Sequence, residues 1–296
     1  MKKYLVLVAA MVAAIACKAS SDKFVVGNLE IFEGFESQFV EARTIRVWTP
    51  SDYDPSLKYD VIYMHDGQNL FDASLTWNNQ EWGVDEVLTD LMNKGEIRPC
   101  IVVGIDNSPL RYDEYYPSAI CPDVPEGVLP KDFKPLGDEY LSFLVEEVKP
   151  WVESKYSTWR TPSHTFVMGS SCGGLISSYA FCLYPDVFGG AACLSTHCSL
   201  MNPYIKTSQK PAAEAYLDYL RTNLPADAQH FLYMDRGDCM IDSAYAESQA
   251  AINDMITTLD WPEENYMYRY FPGKSHSEGD WRERLDIPVR FLLGVK

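Results

Sequence analysis

From Phe24 to Thr49 apolar and polar residues alternate, and the stretches VVGNLEIFE and RTIRVWTP read as two strands before the Pro/Asp/Ser turn Pro50 to Pro55. Alternation with one polar face predicts an antiparallel opening to a sheet. The pattern then changes. Tyr59 to His65, Cys100 to Gly104, Thr165 to Met168, Ala191 to Ser195, Phe231 to Met234 and Tyr266 to Phe271 are short, mainly apolar runs of strand length, as expected of strands covered on both faces. Between them lie segments of helical spacing. Glu81 to Lys94 carries Val84, Val87, Leu88 and Leu91 on one face, with Gly95 as its stop. Tyr140 to Lys155 carries Leu141, Leu144, Val148 and Val152, with a kink expected at Pro150. Pro211 to Leu220 and a segment from Ser243 complete the series. Alternating βα units of this kind predict an α/β fold with a mostly parallel central sheet and helices on both faces. Ligands bind such sheets at the carboxyl ends of the strands.

The chain is organised around Ser163 to Gly190. Thr165-Phe166-Val167-Met168 reads as a buried strand, Leu175, Tyr179, Cys182 and Leu183 recur at helical spacing, and between them stands Gly169-Ser170-Ser171-Cys172-Gly173. This G-x-S-x-G pattern at a strand-to-helix turn makes Ser171 the candidate nucleophile: neighbours without side chains let the turn tighten until Oγ projects into a cleft. The helix's first N–H groups point back at the same turn, which places the Cys172 N–H where an oxyanion would develop. A second donor is expected in the loop after the strand ending at His65, where Gly67 permits close approach and the Gln68 N–H is the candidate.

A serine needs a base and the base an orienting carboxylate. Five histidines are available. His164 and His230 precede strands and belong at the wrong sheet edge, whereas His276 follows the last strand in Pro272-Gly273-Lys274-Ser275-His276-Ser277. His65 and His197 lie near strand ends; His197 is expected to be a satisfied surface residue, with ligand contact the alternative. For the acid, the loop after Tyr233 offers Asp235, Asp238 and Asp242. Between Asp106 and Pro135 regular patterning vanishes, and a loop this long after a strand points to function. It offers Arg111, Tyr115 and Tyr116 to a substrate cleft, with Trp77 and Trp281 as further aromatic walls.

Composition changes the picture in three ways. Met1 to Ser20, with two lysines, an apolar run and Ala14-Ile15-Ala16-Cys17, reads as an export signal too short to span a membrane. Cys17 matches a lipidation site, ordinary cleavage near Ala19 being the alternative. The remainder, residues 21–296, is expected to be one catalytic domain, periplasmic or at the cell surface. The formal net charge of -17 argues against nucleic acid and anionic membrane as partners. The eight cysteines show no zinc-ligand pairing, although Cys198 and Cys239, each just after a strand, are candidates for a disulfide in an exported protein.

Taken together, YMHDGQNLFD at Tyr63 to Asp72, IVVGIDN followed by RYDEYYP, GSSCGGL, MDRGDCMID and SHSEGDWRERL resemble the putative-esterase branch of the α/β hydrolases, related to carbohydrate esterase family 1 and the enterochelin esterases. The resemblance spans most of residues 21–296. It implies an α/β-hydrolase fold and a Ser171, Asp242, His276 triad, the acid being the aspartate five residues after Gly237, with Asp238 the runner-up. Cys172 departs from the methionine common in relatives, and Leu194 to Cys198 departs from their substrate wall. The expected activity is a serine carboxylesterase, needing no metal or cofactor, on acetyl or feruloyl esters of glycans. The alternatives are a siderophore trilactone esterase, with Arg111 and Arg236 as its positive patch, an acyltransferase using the same triad, and an inactive glycan-binding protein.

Overall fold

The computed structural model describes residues 25–129, 133–198 and 206–295; the export segment and Cys17 lie outside them. Eight strands form one sheet: β1 Asn28–Phe35, β2 Arg43–Thr49, β3 Asp60–His65, β4 Cys100–Ile105, β5 Thr165–Ser170, β6 Gly190–Leu194, β7 Phe231–Arg236 and β8 Tyr266–Tyr270. Their order is β1-β2-β4-β3-β5-β6-β7-β8. β2 is antiparallel to β1 and β4, and every pairing from β4–β3 to β7–β8 is parallel. The change of pairing follows the change of pattern. β1 keeps exposed positions, while every residue of β3, β4, β5 and β6 is buried.

Among the described residues nine helices connect or flank the strands: α1 Val84–Asn93, α2 Arg111–Glu114, α3 Gly137–Ser142, α4 Lys149–Lys155, α5 Cys172–Leu183, α6 Lys206–Asn223, α7 Ala246–Ile256, α8 Glu278–Arg282 and α9 Asp286–Leu293. The two-residue period of the strands divides the core between two faces. Val61 and Tyr63 of β3, Val103 of β4 and Val167 of β5 pack with Tyr140, Val152, Leu175 and Ile252 on one side. Ile62, Met64, Val102 and Met168 pack with Leu88, Leu91, Val289 and Leu293 on the other. α5 lies buried from Cys172 to Cys182, which is why its sequence is apolar nearly all round and shows a helix without a solvent face.

Several boundaries differ from the sequence reading. The helix expected from Glu81 begins at Val84, because the Trp82 and Val84 N–H groups donate to the Asn69 and Leu70 carbonyls of the loop after β3. Tyr140 to Lys155 is helical throughout but changes pitch within its length. A wide π turn, Phe143–Val148, closes with Lys149 N–H on the Leu144 carbonyl and leads directly into α4, so that Pro150 stands immediately after the wide turn. α6 extends beyond Pro211 on both sides and carries it internally. Among its described residues the segment Asp106 to Pro135 holds α2 and a 3₁₀ turn, Ser118–Asp123. Among the described residues no helix is long and apolar enough to cross a membrane.

The sheet's carboxyl edge is where β5 hands over to α5, and there Gly169 and Gly173 touch backbone to backbone. A methyl at Gly169 would stand 2.7 Å from the Gly173 carbonyl carbon and oxygen, closer than any packing tolerates, so one segment must move. Gly169→Ala is therefore expected to destabilise by about 1–3 kcal/mol and to lower the melting temperature by at least ~2 °C, measured by thermal unfolding. A melting temperature equal to the parent's would show that the close approach is not a constraint.

Candidate active site

Ser171 occupies the one position between β5 and α5, at φ 58° and ψ −124°. A residue with a Cβ is held there at a cost of about 1–3 kcal/mol only when its surroundings leave no alternative. Here two backbone hydrogen bonds do so: Ser171 N–H donates to the Leu194 carbonyl at 3.0 Å, and the Ser171 carbonyl accepts from His197 N–H at 3.1 Å. Both partners lie at the end of β6, so the neighbouring strand clamps the turn. Ser171 opens into a cavity of about 1020 Å³ that also exposes Gln68, Arg111, His197, His276 and Trp281.

His276 follows β8 and packs edge-on against the Trp281 indole, ring centroids 4.9 Å apart. Its Nδ1 lies 2.6 Å from Asp242 Oδ1. Asp242 is fully buried in the 3₁₀ turn Met240–Tyr245. Burial alone would push its carboxyl up; hydrogen bonds from His276, the Ser195 hydroxyl and Gly237 N–H outweigh that and hold it below the usual carboxylate range. The other two aspartates of this loop are engaged elsewhere. Asp235 accepts both Nε–H and Nη2–H of Arg284, at 3.0 and 2.9 Å. Asp238 is half a turn away, accepting from Tyr270 Oη at 2.6 Å and Gly273 N–H at 2.7 Å, where it shapes the loop before His276.

Gln68 lies in the 3₁₀ turn Gly67–Asn69 after β3. Gly67 lets that turn rest on the end of β4, since a methyl there would sit 2.7 Å from the Gly104 carbonyl carbon. Neither the Gln68 N–H nor the Cys172 N–H at the start of α5 has a protein acceptor among the described residues, and both residues line the cavity beside Ser171.

The remaining sequence-derived site residues line the same cavity in different states. Trp77, 80% exposed, stands at the rim. Arg111 is partly buried and makes two bonds to Asp66, Nε–Oδ1 at 2.7 Å and Nη2–Oδ2 at 2.8 Å. Burial opposes both charges, but the pairing raises the guanidinium's affinity for its proton and holds Asp66 below the usual range. Tyr115 is fully buried under the Arg111 guanidinium, with its hydroxyl accepting from Asp66 N–H at 3.3 Å. Tyr116 stacks edge-on with Phe133, ring centroids 4.8 Å apart. Trp281 is buried, and its Nε1–H donates to Ser195 Oγ at 3.1 Å. Beneath this wall His65 has Nδ1 2.7 Å from Tyr140 Oη, and burial pushes its pKa down to about 3, so it is a neutral core residue.

Two expectations are corrected. His197 is not a surface residue: it is buried at the cavity wall with Nδ1 2.8 Å from Tyr245 Oη, because its backbone bond to Ser171 draws it inward. Cys198 and Cys239 are free thiols rather than a disulfide. Cys198 packs in the core, whereas Cys239 is drawn the other way by its N–H on the Lys274 carbonyl. The sequence reading missed Ser195, Asp66, Tyr245 and Arg284. Tyr245 stands beside the chemistry, with its hydroxyl on His197 Nδ1 and its ring centroid 6.0 Å from that of His276. Its only signal was a place three residues after Asp242.

Comparison with known proteins agrees with this architecture. Uncharacterized protein YbbA of Bacillus subtilis (strain 168) is 28% identical over 156 residues, covering 52% of this chain and 56% of that one. Uncharacterized protein YjcH of the same organism is 26% identical over 165 residues, covering 55% and 59%. The matches thus span a little over half the length of these relatives. Among solved structures, a ferulic acid esterase superposes with TM-score 0.64 at 18% identity over 90% of this chain and 98% of that one. A ferulic acid esterase from Anaeromyces mucronatus gives 0.60 at 17% over 92% of each. The enterobactin esterase FES of Shigella flexneri gives 0.60 at 17% over 90% and 59%. These superpositions establish the α/β-hydrolase fold. The family model described as "Putative esterase" matches residues 37–291, and with that span the chain belongs to the putative esterase family.

Proposed function

We propose that this protein is a serine carboxylesterase that removes a bulky aromatic acyl group, of hydroxycinnamoyl type, from a carbohydrate. The observation that carries the reaction class is one cavity holding Ser171 in a forced backbone conformation, His276 with Nδ1 2.6 Å from a buried Asp242, and two unengaged backbone N–H groups. In the mechanism His276 Nε2 takes the Ser171 proton as Oγ attacks the ester carbonyl. Asp242 keeps Nδ1 protonated and stabilises the imidazolium. The oxyanion forms against the Gln68 and Cys172 N–H groups, each contributing about 10²- to 10³-fold in rate. Collapse breaks the C–O bond, and His276 returns the proton to the leaving alcohol. Water then enters, gives one proton to His276 and attacks the acyl carbon; as the bond to Oγ breaks, His276 returns that proton to Ser171 and the acid leaves.

The acyl group is argued from the wall. Tyr112, Tyr116, Leu129, Phe133 and Leu175 form an apolar and aromatic side to the cavity of about 1020 Å³, far larger than an acetyl group needs and suited to a planar ring. Ferulic acid esterases share the fold, which supports the same choice. An export signal would put the enzyme outside the cytoplasm, where acylated polymers are met, and lipidation at Cys17 would hold it at the membrane surface. The siderophore reading is weaker: Arg111 is neutralised by Asp66, while Arg236 donates to the Gly237 carbonyl and faces the Tyr270 ring. Among the described residues that line the cavity, Arg111 is the one arginine or lysine, and paired with Asp66 it offers little to attract a highly anionic ligand to a chain of net charge -17.

Ser171→Ala, His276→Ala and Asp242→Asn should each lower kcat on p-nitrophenyl esters by about 10³-fold or more without loss of folding, and combined variants should lose little further. Asp238→Asn should stay close to the parent; a collapse there with an active Asp242→Asn would reverse the choice of acid. For the substrate, kcat/KM on methyl ferulate should exceed that on acetylated xylan and on ferric enterobactin. Phe133→Ala should raise KM for the feruloyl ester by about tenfold, the worth of one aromatic contact. Selective turnover of the siderophore with negligible feruloyl release would discard the assignment, and acyl release only when a sugar acceptor is added would mark a transferase.

A further inference from the structure

Ser195 follows β6 at φ 43°, fully buried, one strand away from the nucleophile turn. Its hydroxyl meets three partners: Trp281 Nε1 at 3.1 Å, Arg284 Nη2 at 3.0 Å and Asp242 Oδ2 at 2.6 Å. A serine hydroxyl has one proton and two acceptor positions. The indole and guanidinium nitrogens only donate, so both acceptor positions are taken and the single proton is left for Asp242. Oδ2 of Asp242 then accepts from Ser195 and from Gly237 N–H at 2.7 Å, while Oδ1 faces His276 Nδ1 at 2.6 Å. Three donors in fixed directions define the plane of the carboxylate.

The cation behind Ser195 does not compete for that carboxylate. Arg284 is matched by Asp235 through two bonds, and Asp235 accepts in addition from Tyr233 Oη at 2.9 Å and from Ser195 N–H at 3.0 Å. A direct Arg284–Asp242 pair would draw the carboxylate away from the imidazolium that forms during the reaction. With the hydroxyl between them, the guanidinium polarises Ser195 and only Ser195 touches Asp242. Trp281 links the two halves: its ring packs against His276 and its N–H holds the same hydroxyl.

We propose that Ser195 is a positioning residue, a one-proton relay through which Arg284 and Trp281 hold the Asp242 carboxylate in register with His276. This rests on the triad reading of Ser171, His276 and Asp242. Ser195→Gly is the informative variant, because the left-handed backbone at this position favours glycine and folding should survive the loss of the hydroxyl. Ser195→Ala removes the same group at a backbone cost, and Ser195→Cys keeps a weaker donor. The expected result on a p-nitrophenyl ester is a fall in kcat of about 10- to 100-fold for Gly and Ala alike, the worth of a hydrogen bond to a charged group, with KM within about twofold of the parent and Cys intermediate. In the Asp242→Asn background Ser195→Gly should change kcat by less than about threefold, since the hydroxyl acts only through that carboxylate. A parental kcat in folded Ser195→Gly and Ser195→Ala beside a crippled Asp242→Asn would overturn this proposal alone, as would an undiminished effect in the Asp242→Asn background. A parental kcat in Asp242→Asn by itself would overturn the triad reading and this proposal with it.

Discussion

Ser171 at φ 58° is held where an L-residue does not rest by choice, and much of the molecule's carboxyl edge is arranged to keep it there. The turn needs Gly169 and Gly173 in backbone contact, β6 alongside to supply the Leu194 carbonyl and the His197 N–H, and an α5 buried enough not to relax outward. These requirements are coupled. β6 can clamp the turn only because it pairs in parallel register with β5, Ser170 opposite Leu194, and such parallel pairing suits two strands that are buried on both faces. Strain of about 1–3 kcal/mol is small against the core that sustains it, which is why the sequence can place a serine at a position where glycine would relieve it.

Around this turn buried charge is settled in closed pairs. Arg43 binds Glu114 at 2.7 Å and Arg46 binds Asp106 at 2.8 Å. Arg111 with Asp66 and Arg284 with Asp235 do the same nearer the cavity, while the buried Glu278 at its wall is held by the Asn69 and Asn78 amides instead. Such pairs contribute little net stability, since desolvation offsets most of the attraction, but each fixes the direction of a loop or strand end. Their neutrality matters for the cavity, whose apolar walls would otherwise magnify any stray charge. The His276–Asp242 contact is a pair of another kind: the carboxylate meets an imidazole instead of a guanidinium, with the Ser195 hydroxyl and the Gly237 N–H as its other donors.

How far the sequence carried can be judged residue by residue. Strand positions, the change from antiparallel to parallel pairing, the strand-to-helix turn at Ser171 and the placing of His276 after the last strand all follow from local pattern, because apolar period and turn chemistry act over a few residues. The choice among Asp235, Asp238 and Asp242 does not. All three lie within eight residues of one another, from the end of β7 to the turn after it, and what separates them is which distant group each meets: Arg284, Tyr270 or His276. The same holds for His197, which reads as a surface residue until a backbone bond to Ser171 is seen to draw it inward, and for Cys198 and Cys239, whose neighbouring strands do not bring their thiols together.

The sequence by itself determined the fold class, the family, the strand-to-helix turn at Ser171 and the place of His276 after the last strand, each encoded by contiguous residues whose periodicity or glycine content has a direct steric meaning. Tertiary structure alone decided that Arg111 is already neutralised by Asp66, that Tyr115 is a buried support, that Trp281 serves the His276 ring and Ser195, and that Ser195 reaches Asp242 across 47 positions of chain. The reason is physical: a polar side chain's role is set by the donors and acceptors that surround it, and those arrive from strands and helices far apart in sequence.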